Sequence, residues 1–150
     1  MRKIVGFLAV ILSMFLITAL ALAAPWKGWR GSGGWGMGSP YQRMYNPATV
    51  QTVSGIVESL DRITPREGMS YGVHLMLRTD KETIPVHLGP GWYIERLDTK
   101  IEKGDTIEVK GSRVMFAGTP AIIAEEIKKG DNVLVLRDSA GVPAWAGWRR

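Results

Sequence analysis

From Thr49 onward, short runs of alternating apolar and polar residues are separated by glycine, proline and aspartate. Alternation with a period of two is typical of strands that bury one face, and the separating residues favour turns. The pattern predicts a small, mainly β domain whose long, bent first strand has a bulge at Gly55. The predicted strands are Thr49–Leu60, Tyr71–Thr79, Thr83–Leu88, Thr106–Phe116, Ala121–Ile127 and Val133–Arg137.

One short helix interrupts this β pattern between the third and fourth strands. The stretch from Pro90 to Asp98 does not alternate, and Trp92 to Leu97 follows a proline, which helices tolerate in their first turn. Three strands, a helix and then further strands is the element order of an OB-fold, a small closed barrel of five to six strands. An open meander packed on one helix is the alternative topology.

The first 23 residues have the pattern of an export signal. Arg2 and Lys3 precede an apolar run, Ile4–Ala23, which closes on an Ala-Leu-Ala sequence of the kind that signal peptidase reads. Cleavage after Ala23 would release the domain, whereas a retained segment of this length would anchor it as a membrane helix. In both cases the sequence predicts a domain outside the cytoplasm, in the periplasm or cell envelope.

Residues 24–48 change in composition to Gly, Trp, Arg, Met, Ser and Pro. A segment without apolar periodicity has no face to bury, which predicts a flexible linker ahead of a domain spanning residues 49–150. The first tryptophans of this segment alternate with Lys27 and Arg30, so stacking on bases or contact with lipid headgroups is the alternative.

The composition and the missing motifs exclude several classes of function. The chain has no cysteine, which excludes disulfides, thiolate metal sites and haem attachment through Cys-x-x-Cys-His. Without its first 23 residues it keeps 17 of its 19 basic and all 14 acidic residues, a net charge of +3 that permits an acidic partner without requiring one. Phosphate-binding glycine loops, His-Glu-x-x-His and Gly-x-Ser-x-Gly are missing, and neither histidine is spaced for catalysis. We therefore expect a protein that is not an enzyme and needs no cofactor.

The second and third predicted strands form a hairpin whose register decides whether the two histidines meet. A two-residue loop, Asp80-Lys81, pairs His74 with His87, whereas a four-residue loop pairs Met76 with His87. Asp-Lys suits a primed turn poorly, because the second residue would need a positive φ, so the sequence favours the longer loop. Either register places both histidines on the outer face.

The outer face around this hairpin is the predicted ligand surface, because OB-folds commonly bind ligands around strands two and three. Rings there would stack on bases or sugars and Arg78 would pair with a phosphate or carboxylate, unless Trp92 plugs the barrel end. Three of these residues also form a candidate site for copper, zinc or iron, with Glu82 or Glu95 as a further ligand, unless the histidines simply face solvent. The surface comprises His74, Met76, Arg78, His87, Trp92 and Tyr93, and the metal candidates are His74, Met76 and His87.

The C-terminal stretch is aromatic and basic. Trp145, Trp148, Arg149 and Arg150 are the candidates there for binding an acidic partner or a phosphate backbone. In the alternative, Pro143 and Trp145 fold back to cap the barrel and the terminal arginines are solvated, because a terminus is ordered only where something holds it.

Several stretches carry a resemblance to a known family: Val86-His87-Leu88-Gly89-Pro90, Gly104-Asp105-Thr106-Ile107-Glu108-Val109-Lys110-Gly111-Ser112 and Leu136-Arg137-Asp138. In these the chain resembles bacterial periplasmic OB-fold proteins, and most of all the domain at the front of the magnetosome-associated MamS and MamX proteins, over about Thr49 to Arg150.

The resemblance implies an exported, non-catalytic binding module of the cell envelope, alone or within a metal- or redox-related assembly. Some members carry haem-binding segments, which this cysteine-free chain lacks. The expected partner is an envelope protein or a small ligand, and membrane contact is expected only if the N-terminal segment is retained. A nucleic-acid-binding OB-fold protein and a metal-binding protein are the alternatives.

Overall fold

The computed structural model describes residues 33–146, which form six strands and one short α-helix. The mainly β prediction is confirmed, and every predicted strand is present within a few residues of its expected bounds. The predicted helix is shorter than expected and spans four residues. In chain order the elements are β1 (Val50–Ile63), β2 (Gly72–Arg78), β3 (Thr83–Pro90), α1 (Gly91–Ile94), β4 (Thr106–Phe116), β5 (Thr119–Lys129) and β6 (Asn132–Val135).

Five of the strands form a closed ring, here called the strand ring. Their order is β3-β2-β1-β4-β5, and β3 also pairs with β5 in parallel at Val86–Ile122 and His87–Ile123. This last pairing joins the two ends of the sheet, so the topology is not an open meander. β6 extends the sheet beyond β5.

The long strand β1 is bent because it serves two neighbours. Its first half pairs with β4 and its second half with β2, with Ile56 in both pairings. The predicted bulge at Gly55 is misplaced, since the register shift lies between Val57 and Ser59. Gly55 has another role: a Cβ there would collide with the backbone of Arg78 on β2. Glycine at this position therefore permits the close approach of β1 and β2.

The strand ring is filled by the apolar side of each strand, as the alternation predicted. On β2 and β3 five apolar residues at alternating positions are at most 2% exposed, which puts them out of contact with water. Burial of these branched side chains is the main term that stabilises the ring. They are Leu75, Leu77, Ile84, Val86 and Leu88, joined by Ile107 and Val109 from β4 and Ile122 and Ile127 from β5.

The described part of the predicted 24–48 linker, residues 33–48, packs against the strand ring. Residues 33–49, here called the N-terminal strap, place Trp35, Tyr41 and Tyr45 against the ring, each at most 7% exposed. Three large rings bury enough apolar surface to offset the cost of ordering the glycines between them. Composition alone concealed this, because the aromatic residues follow no helical or strand period. Residues 24–32 lie outside the described residues, as does the predicted signal segment 1–23.

The β2–β3 hairpin adopts the register that pairs His74 with His87, so the preference for the longer loop was wrong. The objection assumed a primed turn, but neither Asp80 nor Lys81 has a positive φ. Instead, Thr79 closes the turn: its N–H donates to the carbonyl of Glu82 at 2.8 Å, and its hydroxyl oxygen accepts from the N–H groups of Lys81 and Glu82. The Thr79 side chain thus stabilises a two-residue loop in which neither residue has a positive φ.

Within residues 33–146, none of the helices has the length and apolar character needed to span a bilayer.

Candidate functional site

The structure divides the predicted ligand surface into separate environments. His74, Met76, Arg78 and His87 lie on the face of β2 and β3 that points away from the ring interior, as predicted, but the N-terminal strap covers part of this face. Arg78 is exposed and lies 3.6 Å from a carboxylate oxygen of Glu58. His87 is only 2% exposed, which corrects both the expectation of an open outer face and that of a solvent-facing histidine.

The two aromatic residues of the predicted surface lie on α1 at one end of the ring. Tyr93 packs on Trp145, with ring centroids 5.2 Å apart. Trp92 is half-buried and also packs against the core. These rings therefore belong to the packing of α1 and do not extend the histidine face.

His74 and His87, here called the histidine pair, lie directly opposite each other on β2 and β3 with ring centroids 5.9 Å apart. Tyr41 of the strap covers His87. The two rings are stacked with centroids 6.0 Å apart, and the Tyr41 hydroxyl lies 2.9 Å from Nδ1 of His87. Phe116 closes a further side of His87 at 4.8 Å. On His74, Nε2 lies 3.7 Å from a carboxylate oxygen of Asp61.

Burial controls the protonation of this pair. The pKa of His87 is lowered to about 4, first by loss of hydration and then by electrostatic interaction with His74 and Arg137. Burial likewise raises the pKa of Tyr41 well above its usual range. At neutral pH, His87 is a neutral imidazole in contact with a neutral phenol.

We expect stability to fall on acidification from pH 7 to pH 4. His87 has a pKa of about 4 in the folded chain against an ordinary 6.5, so the unfolded chain binds the proton more tightly and acid favours unfolding. The stability that depends on a neutral His87 is fully present above pH 6.5 and is lost as the pH falls through the window from 6.5 to 4. It amounts to about 3 kcal/mol at 1.36 kcal/mol per pKa unit. Urea unfolding in metal-free buffer at a series of pH values measures it.

The matched control is His87→Gln, which keeps a polar amide but has no proton to gain in this range. Its free energy of unfolding should change less between pH 6.5 and pH 4 than that of the parent chain. Equal losses in the two chains would show that other groups cause the acid sensitivity.

The carboxylates that were considered as further metal ligands are engaged elsewhere. Glu82 pairs with Arg113 through both oxygens, and this contact lowers the pKa of Glu82. Glu95 accepts hydrogen bonds from Arg62 at 3.1 Å and from the Tyr71 hydroxyl at 2.8 Å. Across residues 33–146 no group of three or more His, Cys, Asp or Glu side chains is arranged to hold a metal ion.

A buried arginine that was not among the predicted site residues links the two strands that close the ring. Arg137 is 1% exposed, and its Nη1 donates to the carbonyls of Leu88 on β3 and Ala124 on β5. Its guanidinium also lies 5.0 Å above the ring of Trp145. Burial lowers the pKa of this group. In the sequence it was only a basic residue at the end of the last predicted strand, a position that is usually solvated.

The C-terminal tail, residues 138–146, folds back over the strap. Pro143 pairs with Arg137, and the indole N–H of Trp145 donates to the carbonyl of Trp35 at 2.8 Å. Trp145 is 1% exposed, so its ring is not free to contact a partner, which corrects that part of the prediction. The other candidates of this stretch, Trp148, Arg149 and Arg150, lie outside the described residues.

An open groove of about 310 Å³, lined largely by apolar side chains, lies at the end of the ring and is here called the ring-end groove. Its floor comes from four strands, from α1 and from the loop that follows it. A second, polar depression at the hairpin tip contains the Glu82–Arg113 ion pair. The apolar residues of the ring-end groove are Leu60, Val73, Leu88, Ile94, Ile101 and Leu134, and its rim carries Asp61, Arg62, Glu95, Thr99 and Lys100.

The charged groups on the rim of the groove already have partners within the protein. Arg62 lies 3.1 Å from Glu95 and its guanidinium sits 4.6 Å above the ring of Tyr71. The ammonium of Lys100 donates to the backbone carbonyl of Glu95 at 2.7 Å. The groove thus presents an apolar floor inside a rim without a strong excess of either charge. Sequence reasoning missed it, because its residues come from six separate elements.

Comparison with known proteins identifies the family. No curated protein matches the chain. The model of the MamS/MamX magnetosome protein family matches residues 49–134, a range that takes in all of β1 to β5 and α1 and all but the last residue of β6. The match covers more than half of the 150 residues and confirms the resemblance seen in the sequence. The chain therefore belongs to the MamS/MamX magnetosome protein family.

Proposed function

We propose that this protein is an exported, non-catalytic binding module of the bacterial cell envelope, and that it takes the apolar part of its ligand into the ring-end groove. Membership of the MamS/MamX family points to a magnetosome-associated protein. The apolar run with its Ala-Leu-Ala ending supports export. The groove supplies the binding function.

We further infer that the strand ring is an OB-fold. The inference is supported by the ring order β3-β2-β1-β4-β5, by the parallel pairing of β3 with β5 and by the position of α1 between β3 and β4. OB-folds are small barrels that serve widely as binding modules, and this agrees with a role in binding.

The proposed function rests on one observation, namely that the ring-end groove has both the size and the apolar lining of a binding site. A volume of about 310 Å³ is in the range of small-molecule sites, which are mostly apolar with a few polar groups at the edge. Because Arg62, Glu95 and Lys100 already have partners, a charged ligand would have to displace an existing contact. The preferred ligand is therefore an uncharged apolar group, either a small molecule or a side chain of an envelope protein.

A neutral naphthylamine dye tests this with the full-length chain. We expect saturable binding of N-phenyl-1-naphthylamine, and a loss of affinity of tenfold or more in Ile101→Trp, whose larger ring would fill the groove. Ile101 is half-buried on a loop, so the larger side chain can be accommodated with limited strain. Fluorescence titration measures both affinities.

The matched control is Ile56→Trp, an equal change at a 38% exposed position on β1 that does not line the groove. It should bind the dye as the parent chain does. Equal affinity of all three chains would reject the groove as the site. A single-stranded oligonucleotide in place of the dye tests the nucleic-acid alternative, and salt-sensitive binding of it that Ile101→Trp leaves unchanged would favour that alternative.

A further inference from the structure

In the histidine pair, each imidazole has one ring nitrogen next to a polar protein group, which leaves the other nitrogen for a ligand. On His87, Nδ1 contacts the hydroxyl of Tyr41, which leaves Nε2 as the remaining nitrogen. On His74, Nε2 faces Asp61, whereas Nδ1 is buried and has no hydrogen-bond partner among the described residues. Buried polar atoms are nearly always satisfied, so an unpartnered ring nitrogen calls for an explanation.

This division of the ring nitrogens is the one that metal-binding histidines show. A histidine that ligates a metal usually holds its other nitrogen against a carboxylate, carbonyl or other polar group, which fixes the tautomer and the orientation of the ring. Here Asp61 and Tyr41 occupy those outer positions. Metal–nitrogen bonds of about 2 Å place two rings on a shared ion with centroids up to about 6 Å apart. The observed 5.9 Å meets that limit.

The side chain available to complete the site is a thioether. Met76 lies on the same face of β2, two residues beyond His74 and diagonal to His87 across the hairpin. A diagonal neighbour is within reach of a long side chain. Because no set of three His, Cys, Asp or Glu side chains converges in residues 33–146, a fully protein-ligated zinc site is not available there. Two imidazoles and a thioether form a soft set with few ligands, which suits monovalent copper.

We propose that His74, His87 and Met76 form a Cu(I) site beneath the N-terminal strap. Access is from the side of His74, whose side chain is 20% exposed, whereas Tyr41 and Phe116 cover His87. The site lies on the outer face of β2 and β3, and none of its three proposed ligands lines the ring-end groove.

The test is an anaerobic titration of the full-length chain with Cu(I) against a coloured Cu(I) chelator. We expect His74→Asn and Met76→Leu each to weaken Cu(I) binding at the site by tenfold or more. Both positions are half-buried rather than fully buried, so the variants should remain folded, and their melting temperatures without copper check this. X-ray absorption of the loaded chain should show nitrogen and sulfur neighbours.

The matched controls are Met37→Leu and Met115→Leu. These two methionines are 61% and 62% exposed and serve as a measure of non-specific thioether binding. They should leave the affinity unchanged. The proposal is overturned if His74→Asn and Met76→Leu bind Cu(I) as the parent chain does, or if Zn(II) binds the histidine pair as tightly as Cu(I). Neither result would bear on dye binding in the ring-end groove.

Discussion

Replacing Trp35 with alanine is expected to lower the free energy of unfolding by about 4 kcal/mol, the usual cost of removing a large buried ring. Trp35 is 1% exposed and packs edge-on against Tyr41 with centroids 4.8 Å apart. Its indole N–H donates to the carbonyl of Ser70 at 3.0 Å. Removal of the ring would open a cavity beneath the N-terminal strap and leave that carbonyl without its donor. Urea unfolding of the full-length chain at neutral pH measures the loss.

Met37→Ala is the matched control for Trp35→Ala, because it lies two residues away in the same strap but is 61% exposed. Its free energy of unfolding should stay within about 0.5 kcal/mol of the parent value. Hydrogen exchange should in addition show faster exchange of strap amides in Trp35→Ala. If Trp35→Ala unfolds like Met37→Ala, the strap does not contribute to stability and residues 33–48 act as the linker that their composition indicated.

The second large effect is expected at Arg137, where alanine should cost about 4 kcal/mol. Two terms contribute: the cavity left by a long buried side chain, and the loss of its donor to the carbonyls of Leu88 and Ala124. These carbonyls lie on β3 and β5, whose direct pairing involves only two residue pairs. Arg137 therefore reinforces the least extensive pairing of the strand ring. The measurement is urea unfolding, with hydrogen exchange to locate the opening.

Arg113→Ala provides the comparison with an arginine on the surface. Arg113 makes a two-oxygen contact with Glu82, but the side chains are 35% and 38% exposed, and exposed ion pairs contribute about 1 kcal/mol or less. We expect its loss to be at most a third of that for Arg137→Ala. If the two variants lose the same stability, the buried hydrogen bonds of Arg137 stabilise the closed ring no more than the surface ion pair of Arg113 does.

The strands could be predicted from the sequence because each one buries a single face. Alternation with a period of two is a local property, and the turns between strands contain Gly, Pro or Asp, so both signals survive without knowledge of the fold. The hairpin register could not be obtained in this way. It depends on the hydroxyl of Thr79, which stabilises a turn that the loop residues alone do not favour.

The candidate sites were predictable only where two residues lie on one hairpin. The meeting of His74 and His87 followed from one of the two registers considered, since both residues belong to neighbouring strands. Their burial did not, because it depends on Tyr41, which approaches from a segment without periodicity. The ring-end groove was beyond prediction, since its walls become neighbours only when β1, β6 and the loop after α1 are in place. Contacts between distant segments produce no periodic pattern in the sequence.

The hydrogen bond between Trp145 and Trp35 has a consequence for the order of folding. It joins residues 110 positions apart, whereas the hairpins of the strand ring join residues that are close in sequence. The entropy cost of closing a loop increases with its length, so contacts of such separation form favourably only when intervening structure has already brought the ends together. We therefore expect the strap and the tail to dock last, onto a ring that has already formed.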